Sequence, residues 1–406
     1  MKITAVETVL LTGPCTNDPY LSESRKRRSA AFVRIHTNTE IVGLGETYAG
    51  YFIPEIVPEV VEFFAPILIG KDPDDIPLLF RQMYHCGNFW CRTGVGLQIL
   101  SALEAALWDI KGKAQGLPVW KLLNPKANHE KLFCYATGGP ANYPIDKLYR
   151  KIEHYLSCGF HGVKVAAGEF YENRFVTSND PNEASEIEYR KVKAVREHFG
   201  EDLAFMLDGH MGNWPNIDTV WNFETARTVM KALEPFNLTF FEEPLHYNDR
   251  EGYQALTAET SVPIAGGECL AGLAEWQPYL EANCFDIGQP DAAYVGGFQE
   301  FMAIADGLAK KSKKIATHSW AAGGGFMQNL HAGFAAENTW ILEIAPNYGP
   351  LHSEIIGDSF ILREGYVLPP EKPGLGIELR EETIAKFPFV RGSGEFNSVP
   401  GKILVD

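Results

Sequence analysis

From Leu132 onward the chain alternates short apolar runs with helical stretches, and this rhythm restricts its fold more than any other feature. The runs are 133–137, 162–165, 204–207, 238–241, 264–265, 285–287, 314–317 and 340–342. Helices are expected between them, among them 186–199, 222–234 and 297–311. Eight strands alternating with helices over roughly 220 residues fit an α/β architecture of the (β/α)-barrel type. An open doubly wound sheet is the alternative. It normally carries a Gly-rich nucleotide-binding turn after its first strand, and Thr137-Gly138-Gly139-Pro140 does not match that pattern.

The first third reads differently. Residues 3–11 and 30–37 alternate in strand fashion, and Gly43-Leu44-Gly45-Glu46 breaks the second run, which suggests an antiparallel meander. Helical periodicity follows at 56–68 and 101–114, the latter stopped by Gly116-Leu117-Pro118. Strands followed by segregated helices give an α+β domain. The expected organisation is therefore an α+β domain over 1–125, a barrel over 126–350, and a segment over 351–406 that lacks the repeat and packs back on the first domain.

Composition narrows the function. The chain is 45% apolar and 12% aromatic, which excludes extended disorder. Its net charge of −16 argues against nucleic acid as a partner. Arg25-Lys26-Arg27-Arg28 is the densest basic run and reads as a short loop. An acidic enzyme can still take an anionic substrate when a cation sits in its site. The chain opens on a strand-like alternation, so no signal peptide is expected, and no apolar stretch is long enough to span a membrane. The seven cysteines are scattered with no CxxC pair, which points to a reducing, cytoplasmic compartment and to neither zinc nor disulfides.

In a barrel the chemistry collects at the C-terminal ends of the strands. Taken in order, those ends carry Lys164; Asp208 with His210 two residues on; Glu242-Glu243-Pro244; Gly267-Glu268; Gln289-Pro290-Asp291; His318; and Glu343. Asp208, Glu242 and Glu268 recur at about one βα unit and should converge at one mouth. Three such carboxylates repel unless a hard divalent cation cancels them, and oxygen-only ligands favour Mg²⁺ over zinc. Glu243 should point the other way along its strand and serve a supporting salt bridge. Asp291 beside His318 would fix the imidazole tautomer and raise its basicity, as a general base requires. His36, His129, His154, His161 and His198 have no such placement and read as structural or exposed.

This ordered set resembles the enolase superfamily, within it the mandelate racemase-like subgroup. The resemblance covers nearly the whole chain and rests on Glu104-Ala105-Ala106-Leu107-Trp108-Asp109-Ile110-Lys111-Gly112-Lys113, the Asp208, Glu242-Glu243-Pro244 and Gly267-Glu268 series, Pro290-Asp291 and His318. It implies an N-terminal α+β capping domain and a modified (β/α)7β barrel lacking the eighth helix. It also implies Mg²⁺-assisted removal of the proton α to a carboxylate, and a homo-oligomer. Lys164 would meet the substrate carboxylate. Glu343 would donate a hydrogen bond to that carboxylate and so should be protonated, which burial near other acids favours.

One departure directs the choice of reaction. The subgroup commonly ends its second strand Lys-x-Lys, the second lysine being a base, whereas here the run is Lys164-Val165-Ala166. Ala166 cannot take a proton, so two-base racemisation loses a base. His210 resembles the general acid of sugar-acid dehydratases. The expected function is Mg²⁺-dependent dehydration of an aldonate or aldarate. The alternatives are an epimerase, racemase or cycloisomerase working through the enediolate that this proton removal gives, or a barrel that binds a sugar acid without turnover. Residues 14–28 and 48–52 are expected to select the substrate's distal end, with His85, Asn88, Trp90 and Arg92 as further candidates.

Overall fold

The computed structural model describes residues 1–20, 27–138, 144–171, 174–212, 219–346 and 348–394. Eight parallel strands close into a barrel: Leu132–Thr137, Gly162–Ala166, Ala204–Asp208, Phe240–Glu242, Ile264–Gly266, Ile287–Gly288, Lys314–Thr317 and Thr339–Ile344. The eighth pairs with the first through Ile341–Phe133 to Ile344–Ala136. Alternation along the strands sorts the residues into two layers. Tyr135, Met206, Phe240, Ala265, Ile287, Ala316 and Ile341, one from each of seven strands, fill the interior. Their neighbours Cys134, Val163, Phe205, Phe241, Ile264, Ile315 and Leu342 pack outward in the helical core.

Seven helices join the strands: Ile145–Ser157, Pro181–Phe199, Phe223–Leu233, Arg250–Glu259, Gly272–Ala282, Phe298–Ala309 and Gly324–Ala335. After the eighth strand come a two-turn helix, Pro350–Ile356, and a hairpin, Leu362–Arg363 with Tyr366–Val367. The hairpin adds antiparallel to the first barrel strand, so a (β/α)7β barrel results. The chain then returns to the N-terminal sheet, where Pro388 bridges to Leu11 and Glu381 pairs with Arg34 at 3.1 Å.

The N-terminal domain is a three-stranded antiparallel sheet, Ile3–Pro14, Arg27–Thr37 and Val42–Thr47, against helices Val57–Leu68, Ile76–Cys86 and Gly94–Gln115. Two expectations are corrected here. Gly43 and Gly45 do not break the second run, which ends at Thr37, but lie within the third strand. A Cβ at either would sit 2.1 Å from a backbone carbonyl of the long helix, Ala106 and Ala102 respectively. The glycines let strand and helix touch. Arg27 and Arg28 belong to a strand and not to a loop; Arg25 and Lys26 lie outside the described residues. Among the described residues, none of the seven cysteines is paired in a disulfide. No helix among the described residues is long and apolar enough to cross a membrane.

Candidate active site

The strand register carries Lys164, Asp208, Glu242, Glu268, Asp291, His318 and Glu343 to one end of the barrel, and all but Glu268 are buried there. Lys164 is the hub of one group. Its Nζ lies 2.6 Å from Glu242 Oε2, 2.9 Å from Asp208 Oδ2 and 3.0 Å from Glu343 Oε1, with the Tyr135 ring 5.7 Å away. Burial alone would lower the lysine pKa, but Asp208, Glu242 and Glu343 outweigh it and hold the ammonium charged. Gln289 donates from Nε2 to the same Glu242 Oε2 at 2.6 Å.

His318 anchors a second group. Its Nδ1 lies 2.8 Å from Asp291 Oδ2, and its Nε2 3.5 Å from Glu268 Oε2. Burial disfavours the imidazolium, but the Glu268 charge, the Asp291 hydrogen bond and Glu343 together raise the pKa to about 10. Asp291 is held in turn. Its Oδ1 accepts from the Ala293 N–H and from Asn329 Nδ2, each at 2.7 Å. Tyr48 of the N-terminal domain packs edge-on against the His318 ring, with centroids 5.5 Å apart.

His210 sits between the groups, its Nδ1 3.0 Å from Asp208 Oδ1 and its side chain 40% exposed. Burial of the ring nitrogen opposes its charge, yet Asp208 raises its pKa to about 9. Its φ of 48° places it in the left-handed region, so the simple strand alternation expected there stops at Asp208.

Two electrostatic expectations are corrected. Glu343 is held toward its ionised form and not toward the protonated form expected of it. Burial would raise its pKa, but Lys164, His318 and the Ser319 N–H, 2.7 Å from Oε2, lower it below the usual carboxylate value. Glu243 forms no supporting salt bridge among the described residues. Its φ of 41° breaks the alternation, both carboxylate oxygens lack a hydrogen-bond partner, and burial pushes its pKa up to about 8.

The donor set fits a divalent cation. Among the described residues, the ion pairs of Asp208, Glu242, Glu268, Asp291 and Glu343 are with Lys164, His210 and His318 alone, and Glu242 Oε1 is buried without a hydrogen-bond partner. The three expected ligands are not drawn into one cage. Asp208 and Glu242 turn to Lys164, while Glu268 turns to His318. Among the described residues, the cluster with all ligand atoms within 4.8 Å of one another is Glu243, Glu268 and Cys269.

Gln289 and Asn329 are supporting residues that sequence reasoning missed. Gln289 stood in the quoted strand end; Asn329 lies mid-helix and gives no periodic signal. Of the specificity candidates, Tyr48 and Tyr51 reach this region, Tyr51 Oη accepting from Trp320 Nε1 at 2.9 Å. Residues 21–26 of the 14–28 segment lie outside the described residues. His85 lines a groove with Ile67 and Leu78, Arg92 one with Phe80 and Gly272, and Trp90 stacks on Phe64. Asn88 donates its N–H to the His85 carbonyl. Among the described residues these four make no contact with the ionisable groups above. His36, His129 and His198 bond or stack locally with Glu7, the Ala336 carbonyl and Tyr149.

A capping sheet over a (β/α)7β barrel with acids, lysine and histidine at its strand ends defines the class of an enolase-type barrel. The chain matches the enolase C-terminal domain-like family over residues 147–383 and the mandelate racemase/muconate lactonizing enzyme N-terminal domain over 7–124. It belongs to the mandelate racemase/muconate lactonizing enzyme family of the enolase superfamily. It is 32% identical to an L-talarate/galactarate dehydratase from Salmonella typhimurium, over 78% of this chain and 71% of that one. It is 29% identical to a D-galactarolactone cycloisomerase from Agrobacterium fabrum, over 95% and 99%. A crystal structure of L-talarate dehydratase from Polaromonas sp. JS666, complexed with Mg and L-glucarate, superposes with a TM-score of 0.79 at 28% identity, covering 96% of this chain and 98% of that one.

Proposed function

We propose that the protein dehydrates a sugar acid, an aldonate or aldarate, to a 2-keto-3-deoxy acid with Mg²⁺ as cofactor. Asp208, Glu242 and Glu268 would hold Mg²⁺, which would supply positive charge toward the substrate carboxylate and so acidify the neighbouring C–H. A cation on Glu268 would cancel the charge that most raises the His318 pKa, leaving the imidazole, oriented by Asp291, neutral to take the C2 proton. Lys164 remains charged and offsets the negative charge that gathers on the carboxylate. Glu343, ionised, fixes Lys164 and the Ser319 backbone in this reading. The electron pair of the broken C2–H bond forms the C2–C3 double bond. His210 protonates the 3-hydroxyl as the C3–O bond breaks, and water leaves. The enol then tautomerises.

The observation that carries elimination over racemisation is the pairing of a histidine at 318, held by Asp291, with a second histidine at 210, held by Asp208, while position 166 holds alanine. The test is a library of aldonates and aldarates with Mg²⁺, scored for 2-keto acid as the semicarbazone. Turnover of at least one member is expected, and none turned over by folded, metal-loaded enzyme overturns the reading. Cycloisomerisation is the second reading, favoured by the near full-length match to the cycloisomerase above. It gives a rearranged product and no water loss by mass.

A further inference from the structure

Five of the seven barrel helices start in one of two ways. The helices after strands two, three and four carry their own caps. Asp180 accepts from the Asn182 and Glu183 N–H groups, Asn222 from Thr225, and Asp249 from Gly252. The helices after strands six and seven begin behind glycines, Gly297 and Gly323, which offer no side chain.

Two buried glutamates of the capping domain meet those helix starts instead. Glu104, on the long helix Gly94–Gln115, accepts from the Phe298 N–H at 2.7 Å and the Gln299 N–H at 3.2 Å, and is itself steadied by the Trp108 indole at 2.9 Å. Glu46, on the third capping strand, accepts from the Ala322 N–H at 2.9 Å and the Gly325 N–H at 2.8 Å. Room is reserved for both. A Cβ at Gly297 would lie 2.3 Å from Glu104 Oε2, and one at Gly324 would lie 2.8 Å from Glu46 Cβ. A carboxylate against a helix N-terminus also gains from the helix dipole.

The segments so capped are those that carry Asp291 and His318. Asp291 stands seven residues before Phe298. Its carbonyl accepts from the Tyr294 and Val295 N–H groups, and the next residue, Gly296, donates to Ser101 of the same long helix at 2.9 Å. His318 stands four residues before Ala322. Beyond it, Trp320 donates to Tyr51, and Arg28 donates to the Ala321 carbonyl at 3.1 Å. Asn329, on the helix that Glu46 caps, is the clamp on Asp291. The capping domain thus grips both segments through backbone N–H groups, independently of any substrate contact.

We propose that Glu46 and Glu104 are positioning residues, capping two barrel helices from the other domain so that Asp291 and His318 meet in working geometry. The proposal rests on the reading of His318 as the base. It gives a role to the glutamate of the 104–113 segment, which the chemistry itself leaves unused.

The test compares Glu46→Gln, Glu104→Gln and Asp249→Ala, the last removing a cap internal to the barrel. In ¹⁵N-histidine-labelled full-length protein, the His318 imidazole signals are assigned by their loss in His318→Asn. Both Gln variants are expected to shift those signals and to lower kcat about tenfold or more with KM within about twofold, since small misplacements of reacting groups cost up to about 10²-fold. Asp249→Ala is expected to lower the melting temperature and leave His318 and kcat as in wild type. Unchanged imidazole signals in both folded Gln variants, or an equal shift in Asp249→Ala, overturn the proposal. If a Gln variant does not fold, Glu46→Asp or Glu104→Asp, which retracts the charge by one methylene, is read the same way. The imidazole signals need no turnover, so absence of activity toward every sugar acid would remove the proposed function while leaving this test decisive.

Discussion

On the side of strands two to four, Lys164 joins Asp208 and Glu242, and Gln289 reaches Glu242 from the end of strand six, all within the barrel. On the side of strands six and seven, Asp291 and His318 bond to each other, and their loops are tied to Glu46, Glu104, Ser101, Arg28 and Tyr51 of the capping domain. The first side depends on strand register alone, since neighbouring strands deliver the opposing charges. The second needs two domains to agree. Charge compensation can be local, whereas a base must be aimed, and aiming draws on contacts far from the reacting atoms.

Four measurements would break or sharpen this contrast. The largest effect belongs to His318→Asn, which should lower turnover by about 10²–10⁴ or more and abolish exchange of the substrate α-proton with D₂O, because no intermediate forms. Retained exchange would move the base to the other side. Next is Lys164→Met, which strands three buried carboxylates. It should destabilise the metal-free protein by about 3–5 kcal/mol, and added Mg²⁺ should restore part of the loss by binding the folded state. Urea unfolding with and without Mg²⁺ reads both. If the variant is as stable as wild type, the charge hub is not one.

Gln289→Leu and Asn329→Leu form a matched pair, each removing a neighbour that orients one carboxylate. Such losses cost about 10–100-fold. The first should fall on Mg²⁺ affinity, measured by calorimetry, and the second on kcat with affinity unchanged. An exchange of the two phenotypes would mean that the sides are not separate. The smallest effect is acid sensitivity. Burial lowers the pKa of His331 to about 4 and, with Arg28, that of His352 to about 3. Below pH 6.5 the unfolded chain therefore binds protons that the folded chain refuses. Stability should fall by about 1.4 kcal/mol per pH unit for each histidine until its folded pKa is reached. His331→Gln should flatten the dependence of the urea midpoint between pH 6.5 and 5 by one such step; an unchanged slope counts against a neutral, buried His331.

The barrel and the strand-end series were legible because both follow one period. Each βα unit returns the chain to the same end, so Asp208, Glu242, Glu268, Asp291 and His318 could be read by counting. Charge states and turns were less legible. Glu343 was expected to be protonated, but its ionisation depends on Lys164 reaching it across the barrel. Glu243 was expected to turn outward, but a left-handed residue ends the alternation. Gly43 and Gly45 read as breakers because the helix that needs their missing side chains lies some sixty residues away. Glu104 was visible within a recognisable segment, yet its partners Phe298 and Gln299 lie 194 and 195 residues downstream.

The first barrel strand has both its edges shared with late parts of the chain. The eighth strand closes against it, and the hairpin Leu362–Val367 adds to its beginning. The N-terminal sheet likewise receives Pro388 beside Leu11. A ribosome delivering some 5–20 residues per second would make strand one long before the partners that seal it. During that interval the growing chain holds an open sheet edge, so the eighth strand and the hairpin after it decide when strand one is safe from other chains.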